Sequence, residues 1–199
     1  NRLNRKCKVH YQNINQVIIL LGNKTCSFKN NDILNLKILE SYLAFGMSSK
    51  LFRIFREKNG LTYDVGVYNP LRKASAPFVV YISSSSSKCL DTFYHLVDLW
   101  DHITSEFLSE KELNLAKIKL NSAISISSQT TEEIVNRKVQ LMGLQMDPKM
   151  DEKLIERISK IESQEVLETA QKYLINPSLS IIGKEIDCIR IKNIWQNEF

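Results

Sequence analysis

The chain has 199 residues, 43% of them hydrophobic and 25% charged, with a formal net charge of +5. That length suits one well-buried domain, and the composition is that of an ordinary soluble globular protein. The longest apolar run, Val17 to Leu21, is strand-sized, so no segment is long enough to span a bilayer.

The sequence pI of about 9.0 permits a nucleic-acid or membrane-surface partner without implying one, because Lys and Arg are spread along the chain and mixed with acids. Cysteines stand at 7, 26, 89 and 188, with no CxxC pair. This argues against structural zinc and against a dense disulfide framework, and points to reduced thiols. The opening NRLNRKCKVH has no apolar stretch behind its basic residues, and the chain starts at Asn1, so a fragment or processed product is expected, with a cytoplasmic location.

Residues 1–13 read as a linker or lead-in, and 14–199 as one domain. NQVIILLGN (15–23) predicts a buried strand. Asn31-Asp32 offers an N-cap for a helix running to Phe45, with Ile33, Leu36, Leu39, Tyr42 and Leu43 at helical spacing and Gly46 ending it. SSKLFRIFREKN predicts a second helix with Leu51, Phe52 and Phe55 on its apolar side, stopped by Asn59-Gly60. LTYDVGVYN (61–69) alternates as a strand, placing Leu61, Tyr63, Val65 and Val67 on one face. APFVVYISS (76–84) is its hairpin partner across a loop at 70–75.

Three helices follow. The first, about 88–107, carries a core stripe of Phe93, Leu96, Val97, Trp100, Ile103 and Phe107. The others open at Ser109-x-x-Glu112 and Thr130-x-x-Glu133, both capping boxes, and Pro148 punctuates their end. Shorter helices at 150–159 and 163–175 precede a strand, LSIIGK (179–184). The order, without βαβ alternation, predicts an α+β fold with a mostly antiparallel sheet and helices packed on one face.

Few residues stand out for chemistry. Ser83 to Ser87 lacks the glycines and lysine of a phosphate loop, and reads as a strand-to-helix turn with serine capping. Asp91, His95, Asp98 and His102 fall at spacings of four, three and four on one helix, but opposite the core stripe, where a solvated polar face is expected. Arg56 and Tyr63 are seven apart and flank the Gly60 break, so a helix end and a strand start are brought close. An Arg fork and a phenol there can donate to a peptide carbonyl and a developing oxyanion. Spacing leaves two readings open, because Tyr63 equally fits a core tyrosine and Arg56 a charge at a helix C-terminus.

FGMSSKLFRIFREKNGLTYDVGVY (45–68) resembles the signature of the insulinase, pitrilysin and mitochondrial processing peptidase family, in the domain that lacks the zinc motif. Met47, Ser48, Ser49, Leu51, Phe52, Arg56, Glu57, Gly60, Leu61, Tyr63 and Val65 fit it, and Phe45 stands where the family usually has the first of two glycines. The order of elements agrees along nearly the whole chain. The resemblance implies a C-terminal domain with no metal or cofactor site of its own. It implies zinc in an upstream H-x-x-E-H-bearing domain or homologous subunit, a dimeric parent, and a peptide substrate. Arg56 would hold the substrate backbone and Tyr63 would stabilise the tetrahedral intermediate. The alternatives are a non-catalytic family member used for subunit assembly and, less well supported, a basic nucleic-acid-binding module.

Overall fold

The computed structural model describes residues 6–126, 130–145 and 150–198, with backbone alone at Tyr63 and residues 150–153. Five strands form one sheet: β1 (Cys7–Tyr11), β2 (Gln16–Lys24), β3 (Thr62–Tyr68), β4 (Pro77–Ser85) and β5 (Ser178–Gly183). Their order is β1-β5-β2-β4-β3, antiparallel except for the β1–β5 pair. The α-helices are α1 (Asp32–Ala44), α2 (Cys89–Ser105), α3 (Glu110–Ile126), α4 (Thr131–Gly143), α5 (Met150–Lys160), α6 (Ser163–Leu174) and α7 (Glu185–Asn197), and a π-helix spans Phe52–Lys58. This is the expected α+β class.

Alternation along the strands explains the layering. Val17, Ile19 and Leu21 of β2, Phe78, Val80 and Ile82 of β4, and Leu179 and Ile181 of β5 are buried on one face, beneath the helices. The opposite face carries half-buried Ile18, Leu20, Val79, Tyr81 and Ile182. On α2, Phe93, Leu96, Val97, Trp100 and Ile103 form the buried stripe. Phe107, expected in that stripe, lies beyond the helix end and is 60% exposed.

Buried polar groups tie the helical layer together. Ser41 donates to the Ala116 carbonyl (2.9 Å), linking α1 to α3, and Asn35 Nδ2 donates to Thr169 Oγ1 (2.8 Å), linking α1 to α6. Trp100 Nε1 reaches the carbonyl of Leu174 at 2.9 Å, at the C-terminal end of α6. Such groups are costly to bury unpaired, so each bond fixes where one helix crosses another.

Several local expectations shift. Residues 7–11, within the stretch 1–13 read as a linker or lead-in, form edge strand β1, paired with β5 some 170 residues away. The last strand is followed by α7, which buries Cys188, Ile191 and Trp195 against β1, β5 and α2. Asn31 is the N-cap residue of the first helix as expected but makes no side-chain capping bond; Asn30 Oδ1 accepts from the Asp32 amide at 2.9 Å instead. The Ser83–Ser87 tract does not cap α2 either: Lys88 is its N-cap residue and makes no side-chain capping bond. Both expected capping boxes, Ser109–Glu112 and Thr130–Glu133, are present. Pro148 lies outside the described residues. No helix among the described residues is long and apolar enough to cross a membrane.

Candidate functional site at the π-helix and the β3 bulge

The signature segment holds two irregular pieces of backbone, a π-helix and a β-bulge. The second helix forms as predicted but winds as a π-helix over Phe52–Lys58. Such widened turns, with i to i+5 bonding, are rare and occur often at functional sites. Leu51 and Phe55 anchor it, 1% and 0% exposed, and Phe55 meets the His95 ring of α2 edge-on at 6.4 Å.

The end of the π-helix is closed by a set of local bonds. Asn59 Nδ2 donates to the Ile54 carbonyl (2.8 Å), the Leu61 amide to the Phe55 carbonyl (2.7 Å), and the Gly60 amide to the Arg56 carbonyl (3.1 Å). These satisfy the carbonyls that a helix end otherwise leaves without partners. Gly60 makes the reversal with φ +54°, a conformation that a Cβ strains.

β3 starts two residues later with a bulge. Thr62 stands opposite Ser84 and Asp64 opposite Ser83, so Tyr63 is the extra residue. The expected alternation through Leu61, Tyr63, Val65 and Val67 is therefore interrupted. Thr62 is on the core side with Val65 and Val67, opposite Ser84, Ile82 and Val80, three residues before Val65 instead of two or four. Bulges are frequent beside active sites, where they re-aim the chain.

Arg56 is exposed in the last turn of the π-helix, with its guanidinium over the Phe52 ring at 5.6 Å from the centroid. Tyr63 has its backbone in β3 at the bulge, and its side chain lies outside the described residues. The fold thus brings the two backbones to either end of one tight turn. Arg53, Arg56, Lys58 and Lys88 outnumber the acids Glu57 and Asp64 around it; Glu57 reaches Arg53 at 3.9 Å. A positive rim of this kind suits an acceptor-rich ligand such as a peptide backbone.

A second set of residues holds the turn in place, and none was foreseen. Lys88 Nζ donates to the Gly60 carbonyl at 2.8 Å. Ser84 Oγ donates to the Leu61 carbonyl at 2.8 Å and lies 2.9 Å from Thr92 Oγ1, which donates to the Lys88 carbonyl at 2.8 Å. Thr62 Oγ1 contacts the carbonyls of Ser83 and Asp64. Ser83, Ser84 and Lys88 lie 21 to 28 residues from the turn residues they meet, so no spacing pattern marks them.

On the other side, the residues preceding the π-helix are tied to α3. Glu112 accepts from Ser109 N (3.1 Å), Ser109 Oγ (2.7 Å) and Tyr42 Oη (3.1 Å), and lies 3.5 Å from Lys50 Nζ. Partial burial alone would raise its pKa, but these donors outweigh burial and hold the carboxyl at about 2. Burial, with the Glu112 carboxylate adding to it, pushes the Tyr42 phenol well above its ordinary range.

His95 packs on Phe55, and His102 Nδ1 is 3.2 Å from Glu106. Among the described residues, no three His, Cys, Asp or Glu side chains are grouped closely enough to hold a metal ion.

Comparison with known proteins finds relatives of the chain as a whole. A family profile described as the peptidase M16 inactive domain matches residues 3–120. A protein of Rickettsia felis named as an uncharacterized zinc protease is 29% identical over 177 residues, covering 86% of this chain and 42% of its own length. A Streptomyces coelicolor protein of the same description is 32% identical over 150 residues, covering 73% of this chain and 32% of its own. The chain thus spans less than half the length of these relatives. A crystal structure of a peptidase M16 inactive domain from Pseudomonas fluorescens superposes with a TM-score of 0.80 at 18% identity, covering 90% of this chain and 43% of that one. A Helicobacter pylori protease structure superposes at 0.79 with 16% identity, covering 88% and 43%. At these identities the two structures speak for the fold alone.

Proposed function

Since this chain belongs to the peptidase M16 family, as its inactive domain, we propose that it is the non-zinc part of a zinc metalloendopeptidase. In this reading it completes the peptide-binding chamber and supplies Arg56 and Tyr63 to the active site. The observation that carries the proposal is the coincidence of a π-helical turn bearing Arg56 and a bulge at Tyr63, joined through Gly60 within the signature segment. Regular elements are cheaper to build, and irregular ones persist where a particular geometry is held for use.

In this reading the zinc is held outside this chain. An H-x-x-E-H-bearing domain of the same parent or of a homologous subunit would hold it, and among the described residues no three His, Cys, Asp or Glu are grouped to do so. The relatives named as zinc proteases are more than twice the length of the matched segment, which leaves room for such a domain. The contribution of this chain is positioning and electrostatic. The Arg56 guanidinium presents several donors in a fixed plane and grips a substrate carbonyl, while the Tyr63 phenol donates to the oxyanion that develops at the scissile carbonyl. The Lys88, Ser84 and Thr92 bonds keep the turn between them from moving. By itself the chain is inactive.

The test is hydrolysis of quenched-fluorescent peptides by the full-length parent, with and without a chelator, for wild type, Tyr63→Phe and Arg56→Ala. The expected result is chelator-sensitive activity, with kcat lowered about a hundredfold or more in Tyr63→Phe and KM raised in Arg56→Ala. Unchanged activity in Tyr63→Phe would make the tyrosine a structural residue. Absence of activity in the parent and in complexes purified with it would favour the assembly role instead.

A further inference from the structure

One well-formed cavity lies apart from the turn at Gly60 and serves no part of the proposed peptidase function. It has a volume of about 360 Å³ and opens between α1, α3, α4 and α5. That is within the range of pockets that hold small organic ligands, about 300–1,000 Å³. Its floor is apolar: Leu34 of α1, Leu120 of α3, and Leu154 and Ile158 of α5 are each at most 8% exposed. Phe45, which stands where the signature usually has glycine, also lines it.

Its charged lining is of one sign. Lys29, Lys37, Arg137 and Arg157 reach it, and no Asp or Glu is among its described lining residues. Two of these cations have no carboxylate partner among the described residues. Lys29 makes no ion pair, and Arg157 Nη2 donates to the neutral Asn31 Oδ1 at 2.9 Å. Lys37, by contrast, is paired with Glu40 at 2.7 Å. An apolar floor flanked by the Lys29 and Arg157 cations is complementary to a molecule with an apolar tail and one anionic head.

We propose that the cavity between α1, α3, α4 and α5 is a binding site for a medium-chain fatty carboxylate, its chain on the Leu34–Leu120–Leu154–Ile158 floor and its head group at Lys29 and Arg157. The site stands independently of the peptidase reading.

The experiment titrates the full-length protein with hexanoate, octanoate and decanoate by calorimetry, and with decyltrimethylammonium as the cation of matched tail. Saturable binding is expected to tighten about fourfold for each added methylene, so roughly fifteenfold for each two-carbon step. The cation should bind at least tenfold more weakly than decanoate. A surface double variant, Lys29→Glu with Arg157→Glu, should weaken decanoate at least tenfold while the thermal midpoint stays within a few degrees. Leu120→Trp, which fills the cavity, should abolish binding; its fold is checked by circular dichroism, and the charge variant carries the test should it misfold. The proposal is overturned by equal affinity for decanoate and the cation, by affinity independent of chain length, by unchanged binding in the charge variant, or by no saturable binding in the millimolar range. Tighter binding of an uncapped peptide ending in Leu than of decanoate would also overturn it.

Discussion

Glu112 offers a clean perturbation because its carboxylate serves three elements at once: the N-terminus of α3 through Ser109, α1 through Tyr42, and the approach to the π-helix through Lys50. Glu112→Gln removes the charge while keeping a residue that can still close a capping box. The carboxyl is displaced from its ordinary 4.5 to about 2. At about 1.36 kcal/mol per pH unit of displacement this is at most about 3.4 kcal/mol. The side chain is 35% exposed, so water screens much of that, and about 1–2 kcal/mol is expected at pH 7. For a chain of this size the thermal midpoint falls by about 3–6 °C.

The pH dependence follows from the sign of the displacement. The folded pKa is depressed, so the stabilisation is complete above about 4.5, where the unfolded carboxyl is also ionised. It declines as the pH falls and is lost by about 2. Urea unfolding of wild type and Glu112→Gln at pH 7, 5 and 3 reads this directly. The gap between the two proteins should be the same at pH 7 and 5, and more than half closed at pH 3. A gap that persists unchanged at pH 3 would mean that lost packing, and not the charge, causes the effect. No gap at pH 7 would refute the claim that the network stabilises the fold.

Gly22→Ala should cost about 3 kcal/mol, because the added Cβ would lie against the Phe78 carbonyl and 2.8 Å from Val79 Cα, so β2 and β4 must separate; denaturant midpoints measure it, and a neutral outcome would refute the close β2–β4 approach. Trp100→Phe strands the Leu174 carbonyl and should destabilise by about 1–2 kcal/mol, with faster amide exchange at the end of α6. Burial, reinforced by Asp187, pushes the Cys89 thiol up to about 11, so in the native protein at pH 8 it should alkylate at least a hundredfold more slowly than in urea. Half-buried Cys7 should react first, and mass mapping of a timed alkylation distinguishes the four thiols.

How much could be read directly depended on whether local pattern or distant contact set the structure. Alternation and helical periodicity are local, so β2, β4, α2 and the Ser109 and Thr130 capping boxes were legible, because burial on one side repeats with the period of the backbone. The segment 45–68 was legible as a family signature, and the proposed roles of Arg56 and Tyr63 rest on that resemblance, since spacing left a core tyrosine and a helix-end charge equally open. β1 was not legible: its five residues are mostly exposed and polar, and it is a strand only because β5 lies beside it. Tertiary contact likewise decided the π-helical winding and the bulge at Tyr63. Phe55 must reach the core against His95 while the Leu61 and Gly60 carbonyls meet Ser84 and Lys88, and one extra residue on each side of the turn reconciles those anchors. The residue types at the site were thus determined by the sequence itself. The geometry that presents them was determined by partners more than 20 residues away, whose distance no local pattern encodes.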